Sequence, residues 1–286
     1  MSEVLTPENE SQVVDAIQWA LSTETSLSVQ SRGTKNTVGA SVSLPNRLEL
    51  HRICGVTLYE PEELVLRLGP GTPLGELQEL LAKNGQQLPF EPPRLHESHG
   101  TIGGIVGTNL AGPRRFKAGA VRDYVIGVRG VTGFGDAFKS GGRVVKNVSG
   151  YDLSKIMTGS FGTLAALTEI TLKVLPRAES EMTVVFRGLE IEPALKLMRE
   201  VAASSLEPSS ISFLPRSVAG RSHTIGGDAP VTIVRLEGPQ VSLDERAAAL
   251  RKMRASESYT LDRGASQALW REVRDVTLPP ETGALW

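Results

Sequence analysis

The stretch from His99 to Asp123, HGTIGGIVGTNLAGPRRFKAGAVRD, combines many glycines with a group of cations. Its glycines are Gly100, Gly103, Gly104, Gly107, Gly112 and Gly119, and its cations are Arg114, Arg115, Lys117 and Arg122. Glycine weakens helices and strands, so this density indicates a backbone that approaches a ligand closely or takes positive φ angles. The N–H groups of Thr-Ile-Gly-Gly can point at one anion, and the cations supply countercharge. The stretch predicts a phosphate cradle, with a purely structural loop as the alternative.

The overall composition narrows the function classes. The chain has 286 residues, enough to bury the core of one large domain or two ordinary ones. Its 31 Lys and Arg nearly balance 32 Asp and Glu, so no global field recruits nucleic acid or an anionic membrane. Cys54 is the only cysteine, which excludes an internal disulfide and a cysteine-built metal or iron–sulfur site in this sequence, and we expect no metal. No apolar run approaches the ~20 residues that span a bilayer, and MSEVLTPENE does not resemble a signal peptide, so we expect a cytoplasmic chain.

The residues before the glycine-rich stretch predict a second possible phosphate contact. The turn from Ser31 to Asn36 follows a short strand and contains Gly33 and Lys35, although an ordinary surface turn fits it equally. Around it the apolar spacing predicts a helix over 6–23 capped by Thr6, strands at Leu27–Gln30 and Leu64–Leu68, and a helix from Thr72 that ends at Asn84-Gly85.

After the glycine-rich stretch the pattern changes to strands and tight turns. Val125–Val131 reads as a strand, and Gly133–Asp136 as a hairpin turn back into 137–139. A strand, a turn and a short helix are predicted over 142–153, and a third glycine-bearing turn over Gly159–Thr163. Apolar residues then alternate with polar ones over Glu169–Val174, which predicts a half-buried strand.

From Glu179 onward glycine becomes rarer and a compact alternation of elements is predicted. The order is strand 182–186, helix 193–203, strands 210–214 and 231–236, helix 243–253, strand 258–261 and helix 264–276. This βαββαβ order is typical of a ferredoxin-like unit. We therefore predict a first domain over 1–178 and a small α+β cap domain over 179–286, and the apolar Leu285-Trp286 ending leads us to expect that the second domain is truncated.

Two long motifs in the correct order carry a family resemblance. The TIGG…TN…GP…R…G…VRD block and the later VVKN-x-SGYDL…GSFGTL…LTEITLKVLP block resemble the FAD-binding domain of the vanillyl-alcohol oxidase/PCMH-type flavoproteins. The string GRVVKNVSGYDLSKIMTGSFGTL is most similar to the FAD-binding subunits of bacterial glycolate oxidase. The resemblance covers roughly residues 4–180. It implies an α+β fold, in which a PCMH-type domain of two α+β subdomains precedes the ferredoxin-like cap.

The same resemblance implies FAD as the cofactor and names the residues around it. It places Gly33, Thr34 and Lys35 on a first pyrophosphate turn, and Pro92 near the flavin ring. On a second pyrophosphate turn it places Thr101, Gly103, Gly104, Thr108, Asn109, Gly112 and Arg115, supported by Arg122 and Asp123. The residues that it implies close the site are Lys146, Asn147, Gly150, Tyr151, Gly162 and Thr163.

The chain departs from the family at the first turn. Relatives carry glycine where this chain has Ser31-Arg32, and a non-glycine residue in left-handed geometry costs about 1 kcal/mol or more. We therefore expect either a rebuilt turn or weaker FAD binding. No residue corresponds to the His or Cys that tethers flavin in some relatives, and His96 and His99 are read as hydrogen-bonding loop residues, so the FAD is expected to be noncovalent.

The resemblance implies an FAD-dependent oxidoreductase that acts on CH–OH groups, as a subunit of a glycolate oxidase complex. The implied partners are a larger FAD-binding subunit that oxidises the 2-hydroxy acid and an iron–sulfur subunit, through which the chain would be peripheral to the inner membrane. No catalytic base is assigned, and Arg114, Arg143 and His99 are the candidates for holding a substrate carboxylate. Two alternatives stay open: a stand-alone oxidase of another small alcohol or 2-hydroxy acid, and a non-catalytic assembly scaffold.

Overall fold

A computed structural model describes residues 2–39, 44–95, 100–142, 152–254 and 256–278. The strands are β1 Val4–Leu5, β2 Leu27–Gln30, β3 Asn46–Glu49, β4 Val56–Glu60, β5 Val65–Leu68, β6 Gln86–Gln87, β7 Val125–Thr132, β8 Ala137–Gly141, β9 Ala165–Lys173, β10 Leu175–Pro176, β11 Ser180–Arg187, β12 Ser210–Leu214, β13 Val231–Gly238 and β14 Ser258–Leu261. The α-helices are α1 Glu10–Ser22, α2 Leu74–Lys83, α3 Ile102–Thr108, α4 Arg115–Ala118, α5 Leu153–Met157, α6 Ile191–Ala202, α7 Arg216–Ala219, α8 Gln240–Lys252 and α9 Arg263–Arg274.

The chain divides into two compact units. The first consists of Met1–Ala111 and Ala120–Arg177, and the second of Gly112–Gly119 and Ala178–Trp286. The short segment Gly112–Gly119, which we call the strap, therefore leaves the first unit in sequence and belongs to the second by its contacts.

The first unit contains two main sheets. A small parallel sheet has the order β1-β3-β2, and α1 packs its apolar face, with Val13 and Ile17, into a core shared with Leu48. The larger antiparallel sheet has the order β4-β5-β9-β7-β8. Its core takes Leu77 from α2 and Ile105 from α3, so burial of these helices holds the glycine-rich segment against the sheet.

The second unit is an antiparallel sheet with the order β12-β13-β11-β14. Successive residues of β11 point to opposite faces, so Val184 packs with α6 and α8 whereas Val185 packs with Trp270 of α9. The strand order together with the βαββαβ chain order confirms the predicted ferredoxin-like arrangement, to which α9 adds a layer on the second face.

The predicted start of the first helix is wrong. The first helix begins at Glu10 instead of residue 6, because Val4 and Leu5 pair with β3 and keep the chain extended. Asn9 is the N-cap, and its side chain accepts a hydrogen bond from the Gln12 N–H at 3.0 Å. Among the described residues, no helix combines the length and the apolar character that crossing a membrane requires.

Candidate functional site

A cleft opens in the first unit. Three segments line it: the first turn after β2, the helix α3, and the third turn before β9. Its polar lining is Gln30, Ser31, Arg32, Thr34, Lys35, Asn36, Thr101, Thr108 and Ser160, and its apolar or side-chain-free lining is Val29, Gly33, Leu50, Pro70, Gly103, Gly104, Gly107, Met157, Phe161, Gly162, Ala165 and Leu167. The structure therefore brings together two of the predicted phosphate contacts and the third glycine-bearing turn.

The first turn presents unused backbone donors. The N–H groups of Gly33, Thr34 and Lys35 donate to no acceptor among the described residues. Gly33 has a φ of 65°, whereas neither Ser31 nor Arg32 takes a positive φ. The turn takes left-handed geometry only at its glycine, which agrees with the expectation of a rebuilt turn, whereas the alternative of weaker FAD binding stays a prediction. Consecutive free N–H groups in a half-buried turn form a concave site for an anion.

Side chains hold this turn from one side. Glu49 Oε1 accepts a hydrogen bond from Gln30 Nε2 at 3.0 Å, and Gln30 Oε1 accepts one from Asn36 Nδ2 at 3.2 Å. The relay joins the turn to β2 and β3.

Lys35 places a cation beside these donors. Its Nζ lies 3.5 Å from Thr34 Oγ1, and a Cβ added to Gly100 would meet that Nζ at 2.7 Å. Burial lowers the pKa of Lys35 below its usual value, because the charged form loses hydration. No carboxylate pairs with Lys35 in the described part of the chain. A half-buried ammonium without a counter-ion is suited to bind an anionic ligand.

The helix α3 forms one wall of the cleft, and the first backbone N–H groups of the helix are not available to bind an anion there. The Ile102 N–H donates to Thr72 O at 3.0 Å, and the Gly103 N–H donates to Pro70 O at 2.8 Å. The Gly104 N–H is capped by the Thr101 hydroxyl at 3.5 Å. The expectation that Thr-Ile-Gly-Gly aims several N–H groups at an anion is therefore wrong, because the chain itself already uses these donors.

The glycines of α3 have two different roles. A Cβ on Gly103 would lie 2.7 Å from Pro70 Cβ, so this glycine permits close packing against the loop before α2. A Cβ on Gly107 would meet nothing within 4 Å, and one on Gly104 would meet only side-chain atoms, the nearest at 3.7 Å. Gly104 and Gly107 therefore leave an open groove along the cleft.

The third turn joins the C-terminal end of this helix. The Gly159 N–H donates to Val106 O at 2.9 Å, and the Phe161 N–H donates to Gly107 O at 2.8 Å. Phe161 has a φ of 54°, and Gly162 a φ of 72°. A left-handed phenylalanine costs about 1 kcal/mol, and strain of this kind is concentrated at functional sites. Phe161 lines the cleft and is half exposed, a feature that glycine spacing alone did not reveal.

The predicted site residues fall into three groups. Those that line the cleft are Gly33, Thr34, Lys35, Thr101, Gly103, Gly104, Thr108 and Gly162. Those that the structure places elsewhere are Pro92, Asn109, Gly112, Arg115, Arg122, Asp123 and Thr163. Lys146, Asn147, Gly150 and Tyr151 lie outside the described residues, as do His96, His99 and Arg143.

Several residues away from the cleft have structural roles. Asn109 ends α3 in left-handed geometry, and its Oδ1 accepts a hydrogen bond from the Arg122 N–H at 3.1 Å. Asp123 accepts one from the Ala120 N–H at 2.7 Å and fixes the turn before β7. Gly112 and Arg115 belong to the strap, in the second unit. A binding role for these residues remains a prediction.

Comparison with known proteins identifies the class. Residues 1–141 match the family described as FAD binding domain. Among solved structures, the chain is similar to alkyldihydroxyacetonephosphate synthase, with a TM-score of 0.76 at 19% identity over 96% of this chain and 54% of that one. It is also similar to p-cresol methylhydroxylase, with a TM-score of 0.74 at 13% identity over 94% of this chain and 60% of that one. The chain therefore carries a PCMH-type FAD-binding domain, with FAD as its cofactor.

More similar relatives are found among curated sequences. Glycolate oxidase subunit GlcE of Escherichia coli (strain K12) is 41% identical over 202 residues, covering 71% of this chain and 56% of that subunit. Glycolate oxidase subunit GlcD of Bacillus subtilis (strain 168) is 33% identical over 155 residues, covering 54% of this chain and 33% of that subunit. The matches thus span about half or less of the length of these curated relatives.

The cleft residues fit the cofactor. FAD carries a diphosphate, which needs donors and positive charge but little bulk around it. The N–H groups of Gly33, Thr34 and Lys35, which have no acceptor among the described residues, and the Lys35 ammonium, which has no carboxylate partner there, supply the donors and the charge. The wall at Gly104 and Gly107 leaves space that side chains would fill.

Proposed function

We propose that this chain is the FAD-binding subunit of an oxidoreductase that oxidises glycolate, a 2-hydroxy acid, to glyoxylate. The observation that carries the proposal is the cleft, whose first turn has backbone donors without an acceptor and a lysine without a carboxylate partner among the described residues, in a chain that is 41% identical over 202 residues to a glycolate oxidase subunit. The other curated relatives of the chain include the D-lactate dehydrogenase of Anaerostipes hadrus, 32% identical over 183 residues, which covers 63% of this chain and 38% of that enzyme. A 2-hydroxy acid is the substrate class common to these names.

The protein's own contribution would be binding and placement. Bound FAD supplies the two-electron acceptor for the hydride of the hydroxyl-bearing carbon. The first turn would hold the diphosphate, and the groove along α3 would accommodate it without side-chain obstruction. A 2-hydroxy acid also needs a cation for its carboxylate, but Arg114 is already paired with Glu237 at 2.6 Å. We therefore expect the cation that binds the substrate carboxylate to be another residue of this chain or a residue of another subunit.

We propose two partners: a larger FAD-binding subunit and an iron–sulfur subunit. The similarity to two glycolate oxidase subunits, GlcE and GlcD, supports a complex of related subunits. Cys54 is the single cysteine of the chain, so iron–sulfur ligands must come from another polypeptide if electrons leave through such clusters. Attachment to the inner membrane would then occur through these partners.

The alternative of a stand-alone 2-hydroxy-acid dehydrogenase is favoured by the D-lactate dehydrogenases among the relatives, including that of Archaeoglobus fulgidus at 31% identity over 160 residues. The scaffold alternative would predict a first turn that has lost its donors. The free N–H groups of that turn do not favour it.

The test is to purify the tagged chain alone and with its co-purifying subunits. We expect a flavin band at about 450 nm that acid precipitation releases into the supernatant, as our prediction of noncovalent FAD requires. Dye reduction with glycolate is expected only in the presence of the other subunits. Gly107→Leu is the negative control for flavin binding in the cleft. Its side chain would fill the groove from a position where a Cβ meets nothing within 4 Å, and so would obstruct the cofactor.

Activity of the chain alone with D-lactate would support the stand-alone alternative instead. A chain without flavin, inactive in every combination of subunits, would overturn the proposed function. Flavin that stays on the precipitated polypeptide would refute noncovalent binding.

A further inference from the structure

Glu10 joins the two main sheets of the first unit through its carboxylate. It lies in the first turn of α1, the helix that packs on the small parallel sheet. Its Oε1 accepts a hydrogen bond from Arg129 Nη2 at 2.6 Å, and its Oε2 accepts bonds from Arg129 Nε at 3.2 Å and from the Thr168 hydroxyl at 2.6 Å. Arg129 belongs to β7 and Thr168 to β9, which are neighbouring strands of the larger antiparallel sheet. One side chain of the helix on the small sheet is therefore bound to two strands of the other sheet.

The two sheets carry different walls of the cofactor cleft. The first turn follows β2 of the small sheet directly, and the third turn, Gly159–Thr163, leads into β9 of the larger sheet. Glu10, Arg129 and Thr168 themselves do not line the cleft. We propose that Glu10 is a positioning residue, a latch between the sheets that limits the separation of these walls and thereby slows the release of FAD.

The apolar contacts between the sheets do not fix their separation by themselves. Val13 and Ile17 of α1 share a core with Val131 and Ala166 of the larger sheet, and such contacts have no preferred direction. Hydrogen bonds weaken steeply when their distance or angle changes. The bonds of Glu10 therefore oppose a sliding or hinge motion that the apolar contacts permit.

Both partners of Glu10 favour its charged form. The hydrogen bond from Arg129 lowers the pKa of Glu10 against the opposing effect of burial, and the Thr168 hydroxyl lowers it further. Thr168 is largely buried, so its hydroxyl needs an acceptor inside the protein. The latch is thus ionised at neutral pH, and removal of the carboxylate breaks its bonds to both strands at once.

The experiment measures how fast FAD leaves the chain. Wild type, Glu10→Ala and Glu10→Gln are loaded with radiolabelled FAD and chased with excess unlabelled FAD. Denaturant unfolding of the apo chains is the second measurement, because a role in stability alone would lower the free energy of unfolding and leave the release rate unchanged. Glu10→Gln keeps an acceptor for Thr168 but loses the charge that faces Arg129, so it is the milder variant and carries the test if Glu10→Ala does not fold.

Glu8→Ala is the matched control. Glu8 lies two positions before Glu10, and its Oε1 accepts a hydrogen bond from Arg52 Nη1 at 2.8 Å. Arg52 ends the short 3-10 helix that follows β3 of the small sheet, so this pair does not reach the larger sheet. Its loss should leave FAD release unchanged. Arg129→Met tests the partner, and because the two residues act as a unit, Glu10→Ala combined with Arg129→Met should release FAD no faster than Glu10→Ala alone.

We expect Glu10→Ala to release FAD about 5-fold to 20-fold faster than wild type, within the usual range of coupling between separate sites. Glu10→Gln should show a smaller increase. An unchanged release rate in the folded Glu10→Ala chain, or in Glu10→Gln where Glu10→Ala does not fold, would overturn the inference whatever the change in stability. So would an equal acceleration in Glu8→Ala, or a further acceleration in the double variant. A wild-type chain that does not retain FAD would contradict the proposed function as well.

Discussion

Lys35 shows how one residue can weaken the free protein in order to bind a ligand. Its ammonium is half-buried beside Thr34 and Gly100, and burial lowers its pKa, with no carboxylate partner among the described residues to offset the lost hydration. A bound diphosphate would supply that countercharge and raise the pKa again. Protonation of Lys35 and binding of FAD should therefore be linked.

The linkage predicts opposite pH dependences for stability and affinity. The folded-state pKa is below the usual value of 10.5, so the apo chain should gain stability as the pH rises from the folded-state pKa towards 10.5. Over the same window FAD affinity should fall, because the ammonium loses its proton. Lys35→Met should weaken FAD binding about 10-fold to 100-fold at neutral pH and remove the alkaline dependence of both quantities. Fluorescence titrations and thermal melts at several pH values measure them.

Lys117→Met serves as the comparison for Lys35. Lys117 is an exposed lysine of the second unit, paired with Glu207 at 2.8 Å. Its replacement should alter neither FAD affinity nor its pH dependence. Parallel alkaline curves for wild type and Lys35→Met would contradict the assignment of Lys35.

At the scale of the element, α3 is a short helix in which Gly103 and Gly107 are required for different physical reasons. Gly103 faces Pro70 and allows the helix to approach the loop, whereas Gly107 faces the open cleft. In an ordinary helix interior, glycine is less stable than alanine by about 0.5–1 kcal/mol. The helix therefore accepts a cost at Gly107 that is useful only if the cleft holds a ligand.

Gly107→Ala should stabilise the apo chain by about 0.5–1 kcal/mol and weaken FAD binding, because the new methyl group enters the groove. Gly103→Ala should destabilise the apo chain by about 1–3 kcal/mol, because its Cβ would lie 2.7 Å from Pro70 Cβ. Denaturant unfolding of the two apo variants, followed by FAD titration of the folded ones, measures both effects. Equal stability changes in the two variants would contradict the division of roles.

The sequence predicted most elements because their apolar spacing is local. The βαββαβ order of the second unit and the hairpin between β7 and β8 follow from such spacing. The start of α1 does not follow from local spacing. Val4 and Leu5 pair with β3, far along the chain, and the helix therefore begins only after Asn9, which caps it. The bonds from Glu10 to Arg129 and Thr168 are also beyond sequence reasoning, because they join residues more than a hundred positions apart in the chain.

At the scale of the whole molecule, the strap links the glycine-rich stretch to the fold of the second unit. Residues 112–119 begin four positions after the end of α3, yet Arg114 and Lys117 pair with residues of the second unit. Arg114 Nε and Nη2 donate to Glu237 Oε1 at 3.1 and 2.6 Å, and both side chains are largely buried. The residue spacing within the strap does not predict this pairing, because Glu237 lies more than a hundred residues away from Arg114 in the chain.

Glu237 is held ionised by this pair. Burial opposes its charge, but the Arg114 guanidinium, through its charge and hydrogen bonds, outweighs burial and holds the pKa of Glu237 below its usual 4.5, with smaller contributions from Arg235 and Ser209. A depressed carboxylate pKa contributes stability above pH 4.5, and that contribution is lost as the pH falls through the folded-state pKa.

Arg114→Met should therefore cost about 3 kcal/mol at neutral pH, because it leaves a buried carboxylate without its main counter-ion. The difference from wild type should shrink as the pH falls below 4.5, where wild type also loses the pair. The double variant Arg114→Met with Glu237→Leu should recover most of the loss, since an apolar pair of similar volume replaces two buried charges. Glu207→Gln, at the exposed pair of the same strap, should have no measurable effect. Denaturant unfolding between pH 3.5 and 8 tests all three, and a double variant no more stable than Arg114→Met would show that the strap is held by contacts other than this ion pair.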